Sequence, residues 1–205
     1  MGLLNDIGVK YGADKSSKFH NYLDFYQEQL PSRDFNGRLL EIGVMDGLSM
    51  KMWAEYYPYA EIVGIDIKDM DHMHNDDWGV PESVKLIKCD GTDPKQTKPL
   101  GMFDIIIDDG SHFWADQQKS FEILYYNQLN EGGVYILEDL WTSHIDYYAN
   151  AKINTLEYLK RLENGKNGMW MTYFRHKHTG IQTVFPKHKG LAKLGSITVA
   201  IKAGQ

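Results

Sequence analysis

The run Ile105-Ile106-Ile107-Asp108-Asp109-Gly110-Ser111-His112 and its later counterpart Val134-Tyr135-Ile136-Leu137-Glu138-Asp139 decide the fold class. Each is apolar and then stops abruptly on two carboxylates. A short unbroken stretch of Ile and Val reads as a strand covered on both faces, as in a parallel sheet flanked by helices. Such sheets bind ligands at the carboxyl ends of their strands. Two neighbouring strands of this kind would deliver Asp108, Asp109, Glu138 and Asp139 to one crevice, and that much negative charge calls for a cation or a shared proton. Taken alone, Asp108-Asp109 also reads as a loop start with Asp109 capping the next helix. The second acidic pair shifts the reading toward a divalent ion, and oxygen ligands suit Mg²⁺, Ca²⁺ or Mn²⁺ better than zinc.

On either side of these runs, strand and helix signals alternate. Tyr22, Leu23, Phe25, Tyr26 and Leu30 mark an apolar helical face that ends at Pro31. Arg38 to Ile42 reads as a first buried strand, followed by a glycine-bearing loop and a helix from about Ser49 to Tyr57. Ile62 to Asp66 is a second strand, Val84 to Asp90 a third and Phe103 to Ile107 a fourth. A helix from Trp114 to Tyr126 leads to a turn at Glu131-Gly132-Gly133 and a fifth strand at Val134 to Leu137. A polar helix near Ile153 to Glu163 precedes three stretches, Met169 to Phe174, Gln182 to Phe185 and Ser196 to Ile201, that read as antiparallel strands. The pattern predicts an α/β fold, a Rossmann-like three-layer sandwich around a mostly parallel seven-stranded sheet with antiparallel C-terminal strands.

The 205 residues suit one domain spanning 1–205, with residues 1–35 as a helical cap over the site. The single cysteine, Cys89, fits a reducing compartment and reads as a small buried hydrophobe. No charged leader with a long apolar stretch stands at the start, and nothing later approaches a membrane span, so a soluble, cytoplasmic protein without membrane contact is expected. A net charge of −6 argues against a nucleic-acid partner, which needs a basic face. The basic tail from Arg175-His176-Lys177-His178 to Lys187-His188-Lys189 reads as a solvated loop. His72-Met73-His74-Asn75-Asp76-Asp77 reads as a loop over a cofactor rather than a metal site.

The loop after the first strand has the form Glu41-x-Gly43-x-x-x-Gly47, and Asp66 ends the second strand. Glycines let the backbone approach a ligand, and the helix that follows offers free N–H groups. An acidic second strand end is placed to accept hydrogen bonds from ribose hydroxyls. A nucleoside is the expected guest. Dinucleotide dehydrogenases want G-x-G-x-x-G, which is absent here, whereas this loop resembles motif I of class I S-adenosylmethionine (SAM) methyltransferases. By that analogy Asp66 would hold the ribose and Cys89-Asp90 would flank the adenine.

The resemblance sharpens at Tyr11-Gly12-Ala13-Asp14-Lys15-Ser16-Ser17 with His20-Asn21-Tyr22, at Asp108-Asp109-Gly110-Ser111-His112, and at Glu138-Asp139-Leu140-Trp141-Thr142-Ser143. These segments, within residues 7 to 145, are similar to those of bacterial metal-dependent sugar O-methyltransferases, which act on deoxysugars of macrolide-type antibiotics and on polysaccharide hydroxyls. The resemblance implies SAM as methyl donor, Mg²⁺ or Mn²⁺ held by Asp109, Glu138 and Asp139, and His112 as general base beside Asp109. It implies that Tyr11, Lys15, His20 and Tyr22 close over the SAM pocket or the substrate, with Glu41, Gly43, Gly47, Asp66, Asp90 and Asp108 forming the rest of the cofactor site. Relatives of this kind carry Tyr in place of His144 and, in some, Asp-Asp in place of Glu138-Asp139, so the base and the ligand set stay open. Trp114 and Trp141 are expected as walls of the acceptor pocket.

The leading reading is methyl transfer to a hydroxyl of a saccharide or glycosylated small molecule, with a homo-oligomer implied by the resemblance. Other readings are methylation of a catechol or phenol, an iron centre in the same constellation as in chains labelled cephalosporin hydroxylases, and a noncatalytic SAM-binding module. Intact Asp109, His112, Glu138 and Asp139 argue against the last.

Overall fold

A computed structural model describes residues 2–164, 169–173 and 198–202. The parallel part of the sheet comprises β1 (Arg38–Ile42), β2 (Glu61–Asp66), β3 (Lys85–Lys88), β4 (Phe103–Asp108) and β5 (Leu129–Leu137). Their backbones pair in parallel in the order β3-β2-β1-β4-β5. Two further strands, β6 (Met169–Tyr173) and β7 (Thr198–Lys202), pair antiparallel with each other, and β7 lies antiparallel on β5. The expected Rossmann-like, mostly parallel sheet is therefore present. The stretch Gln182 to Phe185 and the basic tail from Arg175 to Lys189 lie outside the described residues.

The helices are α1 (Leu3–Tyr11), α2 (Leu23–Gln29), α3 (Leu48–Tyr56), α4 (Pro94–Thr97), α5 (Trp114–Asn127) and α6 (Thr155–Asn164). Side chains of a strand alternate between faces, and the core divides accordingly. Leu39, Ile105, Ile107 and Ile136 face one side, packed with Leu4, Leu23, Tyr26 and Trp53 from α1 to α3. Leu40, Ile106, Tyr135 and Leu137 face the other, against Phe121, Leu124 and Tyr125 of α5 and Leu159 of α6. Buried positions 117, 120, 121, 124 and 125 recur at helical spacing and give α5 its inward stripe. No described helix is long and apolar enough to cross a membrane.

Two local expectations need correction. The turn read at Glu131-Gly132-Gly133 lies inside β5, where Phe103 pairs with Leu129 but Ile105 pairs with Val134, so the extra residues bulge out of the ladder. Gly133 is required there because a Cβ would stand 2.8 Å from the Asn130 carbonyl oxygen. The helical N-terminal region is also divided into α1 and α2. Residues 12–22 form a self-bonded loop between α1 and α2, with Tyr22 N–H donating to the Lys15 carbonyl at 2.8 Å and His20 N–H to that of Asp14 at 2.8 Å. Asn5 fixes the loop from α1, accepting from Ser17 N–H at 2.8 Å.

Candidate functional site

The loops after β1, β4 and β5 leave the same edge of the sheet, because these strands are parallel neighbours. Backbone bonding continues past the strand ends: Asp109 N–H donates to Ile42 C=O at 3.0 Å and Glu138 N–H to Asp108 C=O at 2.9 Å. With β2 on one side of β1 and β4 on the other, successive connections diverge at β1 and open a crevice there. Gly43 sits at this point with φ +87°, and a Cβ on it would lie 2.1 Å from the Asp109 carbonyl oxygen. Only glycine lets the two loops approach this closely.

A cavity of about 610 Å³ opens at that edge. One end is lined by Gly43, Asp66, Cys89 and Asp90, and the other by Asp109, His112 and Asp139. Asp66 accepts from the N–H groups of Val44 at 3.1 Å and Lys68 at 2.9 Å, tying the glycine loop to the second strand end. Asp90 accepts from Thr92 N–H and Oγ1, both at 2.8 Å. Asp108 also borders the cavity, but its buried carboxylate is committed to the Ser120 hydroxyl at 2.5 Å and the Tyr135 hydroxyl at 2.6 Å. Burial raises its pKa against those bonds. Gly47 opens α3 just behind the loop, and buried Glu41 accepts from Ser49 Oγ at 2.6 Å and from Trp53 Nε1. Burial raises the Glu41 pKa, against the pull of Lys15.

Several of the remaining predicted residues lie elsewhere than expected. Tyr11 is not among the residues lining the cavity and donates to Glu55 at 2.6 Å, whereas Gly12 to Lys15 line it. Tyr22 is fully buried and donates to Asp139 Oδ1 at 3.1 Å, so it contacts the acidic centre and not an open pocket. His20 stacks on Tyr22 with ring centroids 5.1 Å apart. Lys15 is one of the lining residues. Its ammonium is buried among carboxylates, 2.5 Å from Asp109, 3.2 Å from Glu138, 3.6 Å from Glu41 and 3.9 Å from Asp14. Burial alone would lower its pKa, yet the surrounding carboxylates, Asp109 foremost, hold it well above the ordinary lysine value.

The acidic centre is split by the backbone. Asp139 takes a left-handed conformation, φ 52° and ψ 38°, which turns the chain immediately after Glu138. Glu138 faces the N-terminal segment, accepting from Tyr26 at 2.5 Å and pairing with Lys15. Burial first, then the Asp109 charge, hold its carboxyl far above the usual range. Asp139 faces His112, whose Nε2 is 3.7 Å from Oδ2. Among the described residues, Asp109, His112 and Asp139 form the group able to hold a metal ion, each with a ligand atom within 4.8 Å of the others. Burial pushes the Asp109 carboxyl up to about 8, against the pull of Lys15. A divalent cation would favour the ionised form of such a group.

The carboxylates of Asp109 and Asp139 suit Mg²⁺ or Mn²⁺, with the His112 imidazole beside them. His144 is exposed and is not among the residues lining the cavity, whereas His112 is. His74 Nδ1–H donates to the Val80 carbonyl at 3.1 Å and His72 packs edge-on against Trp78, consistent with a structural loop.

Trp114 and Trp141 do not wall the cavity. Trp114 Nε1 donates to the Thr142 carbonyl at 2.9 Å, pinning α5 to the second acidic loop, and Trp141 packs edge-on against Tyr148. The aromatic surface beside His112 is made instead by Phe113, Tyr147 and Tyr148, with Tyr148 6.3 Å from the His112 ring and Tyr147 76% exposed. Sequence reading missed Tyr147, Tyr148 and Tyr26. For Tyr26 a signal existed: its four-residue spacing from Tyr22 puts both hydroxyls on one helix face.

No model of a known protein family matches the chain. It is 32% identical over 178 residues to 8-demethyl-8-alpha-L-rhamnosyl tetracenomycin-C 2'-O-methyltransferase of Streptomyces olivaceus, covering 79% of this chain and 45% of that protein. It is 32% identical over 155 residues to mycinamicin VI 2''-O-methyltransferase of Micromonospora griseorubida, covering 69% of this chain and 37% of the relative. The chain thus spans less than half the length of these curated relatives. Among solved structures, the MycE methyltransferase of mycinamycin biosynthesis in complex with Mg and SAH superposes with a TM-score of 0.76 at 25% identity, over 98% of this chain and 54% of that one. By sequence this chain is similar to part of these named O-methyltransferases, and it shares the methyltransferase fold of MycE.

Proposed function

We propose that this chain is a SAM- and Mg²⁺-dependent O-methyltransferase whose acceptor is a sugar hydroxyl on a glycosylated small molecule. The observation that carries the reading is that one cavity joins the glycine-loop crevice to Asp109, His112 and Asp139. The relatives named for methylating rhamnosyl and macrolide glycosides support the acceptor class. When bound, SAM supplies the methyl group and the divalent ion a positive charge against the acceptor oxygen.

The chain's own groups do the rest. Gly43 and the start of α3 present backbone to the donor's polar end, and Asp66 stands where ribose hydroxyls would donate. Asp109 and Asp139 hold the ion's charge, and the half-buried His112 takes the hydroxyl proton. Phe113, Tyr147 and Tyr148 offer apolar faces beside His112, the two tyrosines with hydroxyl tips, a surface suited to a sugar ring. The same reading takes residues 1–35 as a cap over the site and β6 and β7 as the sixth and seventh strands of the methyltransferase sheet.

The test is S-adenosylhomocysteine release by the metal-stripped chain, with and without added Mg²⁺, over a panel of glycosides and catechols. Mg²⁺-dependent turnover on a glycoside is expected. Turnover restricted to catechols would overturn the acceptor assignment, and SAM binding without any turnover would point to a binding module.

A further inference from the structure

We infer that Lys15, Tyr22 and Tyr26 form a three-point latch by which the N-terminal segment positions the acidic strand ends, Lys15 reaching Asp109 and Glu138, Tyr22 reaching Asp139 and Tyr26 reaching Glu138. The contacts are Lys15 Nζ to Asp109 Oδ2 at 2.5 Å, Tyr22 hydroxyl to Asp139 Oδ1 at 3.1 Å and Tyr26 hydroxyl to Glu138 Oε1 at 2.5 Å. All three donors are at most 1% exposed. Each joins the segment to a carboxylate more than ninety positions away in sequence, the shortest separation being the 94 from Lys15 to Asp109.

Core packing alone does not account for this arrangement. The rings of Tyr22, Tyr26 and Trp53 stack in a column with centroids 6.4 and 6.2 Å apart, and phenylalanine would fill the same space. What phenylalanine lacks is the hydroxyl, and in each case the hydroxyl reaches a different carboxylate. A buried hydroxyl aimed at a buried carboxylate fixes the rotamer of both groups. The segment is also built to present its donors at a fixed spacing. Tyr22 N–H is bonded to the Lys15 carbonyl, which locks the first two points together, and Tyr22 and Tyr26 lie one helical turn apart.

The latch also sorts the carboxylates. Lys15 and Tyr26 engage Glu138 from the N-terminal side, while Asp139 and Asp109 keep a face toward His112. Outer partners of this kind orient ligating groups and commonly set metal affinity. This consequence for the ion rests on the function proposed above; the coupling between the segment and the strand ends does not.

The experiment compares the full chain with Y22F, Y26F and K15M. Hydrogen exchange of residues 12–26 and 134–139 is followed without metal, and Mg²⁺ is then titrated calorimetrically. Loss of one charge-assisted hydrogen bond should speed exchange in both segments about tenfold or more, with the exchange of β1 and β4 unchanged. Y22F should weaken Mg²⁺ binding by about 10–100-fold. The two phenylalanine variants keep the ring packing and carry the test should K15M fail to fold. Exchange at the wild-type rate in both overturns the latch, as does Mg²⁺ affinity in Y22F within about twofold of a wild type that binds the ion. A wild type that binds no Mg²⁺ refutes the proposed function instead, and the exchange measurement still decides the latch.

Discussion

Substituting Gly43 by Ala tests how tightly the glycine loop and the first acidic loop are joined. Residue 43 sits at φ +87°, where a side chain adds about 1–2 kcal/mol of backbone strain. The new Cβ would also stand 2.1 Å from the Asp109 carbonyl oxygen, 2.8 Å from its carbonyl carbon and 3.0 Å from Gly110 Cα. All three contacts are backbone, so no rotamer relieves them and the loops must separate, a rearrangement of the overpacking type worth about 1–3 kcal/mol. The sum, about 2–5 kcal/mol, corresponds to a fall in Tm of roughly 4–20 °C for a chain of this size. Because the displaced segment carries Asp109, S-adenosylhomocysteine and Mg²⁺ affinities should fall together. Thermal unfolding and calorimetric titration of G43A measure both effects. A variant with wild-type Tm and wild-type affinity for both ligands would refute the claim that glycine is required by the close approach of the two loops.

Further outcomes follow from single side chains. His112→Ala should lower turnover by about 10²–10⁴-fold while leaving S-adenosylhomocysteine affinity near wild type, as calorimetry alongside steady-state kinetics would show. Glu61 accepts from Arg38 at 3.0 Å and Lys85 at 2.9 Å, which hold its carboxyl down to about 2 from an ordinary 4.5. Its contribution to stability is therefore present above pH 4.5 and is lost as pH falls toward 2. Since the pair is partly exposed, denaturant titration should find E61Q less stable by only about 1 kcal/mol at pH 7, and the gap should close in acid. Burial, with Asp90 and Asp93 nearby, pushes the Cys89 thiol up to about 11. At pH 8 it should react with a thiol reagent roughly a hundredfold more slowly than free cysteine. Because Cys89 lines the cavity, S-adenosylhomocysteine should slow the reaction further.

The parts of the fold legible in sequence were those written in contiguous residues. Ile105-Ile106-Ile107 followed by two carboxylates contains its own strand, its double-sided burial and its ligand-bearing end, and all three isoleucines are indeed fully buried. Glu41-x-Gly43-x-x-x-Gly47 likewise carries its turn chemistry locally. What escaped depends on tertiary placement. Gly132-Gly133 has the composition of a turn, but pairing with β4 on one side carries the strand through it as a bulge. The resemblance implies that Lys15 closes over the cofactor pocket or the substrate, and its position among carboxylates of β1 and just past the ends of β4 and β5 follows only from the docking of residues 12–22. Glu138 and Asp139 look equivalent in sequence, and the left-handed backbone at Asp139 sends them to different partners. The tryptophans after the acidic motifs suggested pocket walls because large aromatics often serve so. Trp114 instead uses its indole N–H to fix the loop backbone.

On the proposed function, one cavity brings the methyl donor and the ion together at Asp109, His112 and Asp139. The most direct measurement is the NMR linewidth of ¹³C-methyl SAM bound to the full chain, recorded as Mn²⁺ is added, with D139N as the control. Mn²⁺ should broaden the methyl resonance more strongly than the adenine resonances in the wild type, and D139N should lose the effect while still binding SAM. Binding of both ligands with no selective broadening of the methyl resonance would contradict the proposed function.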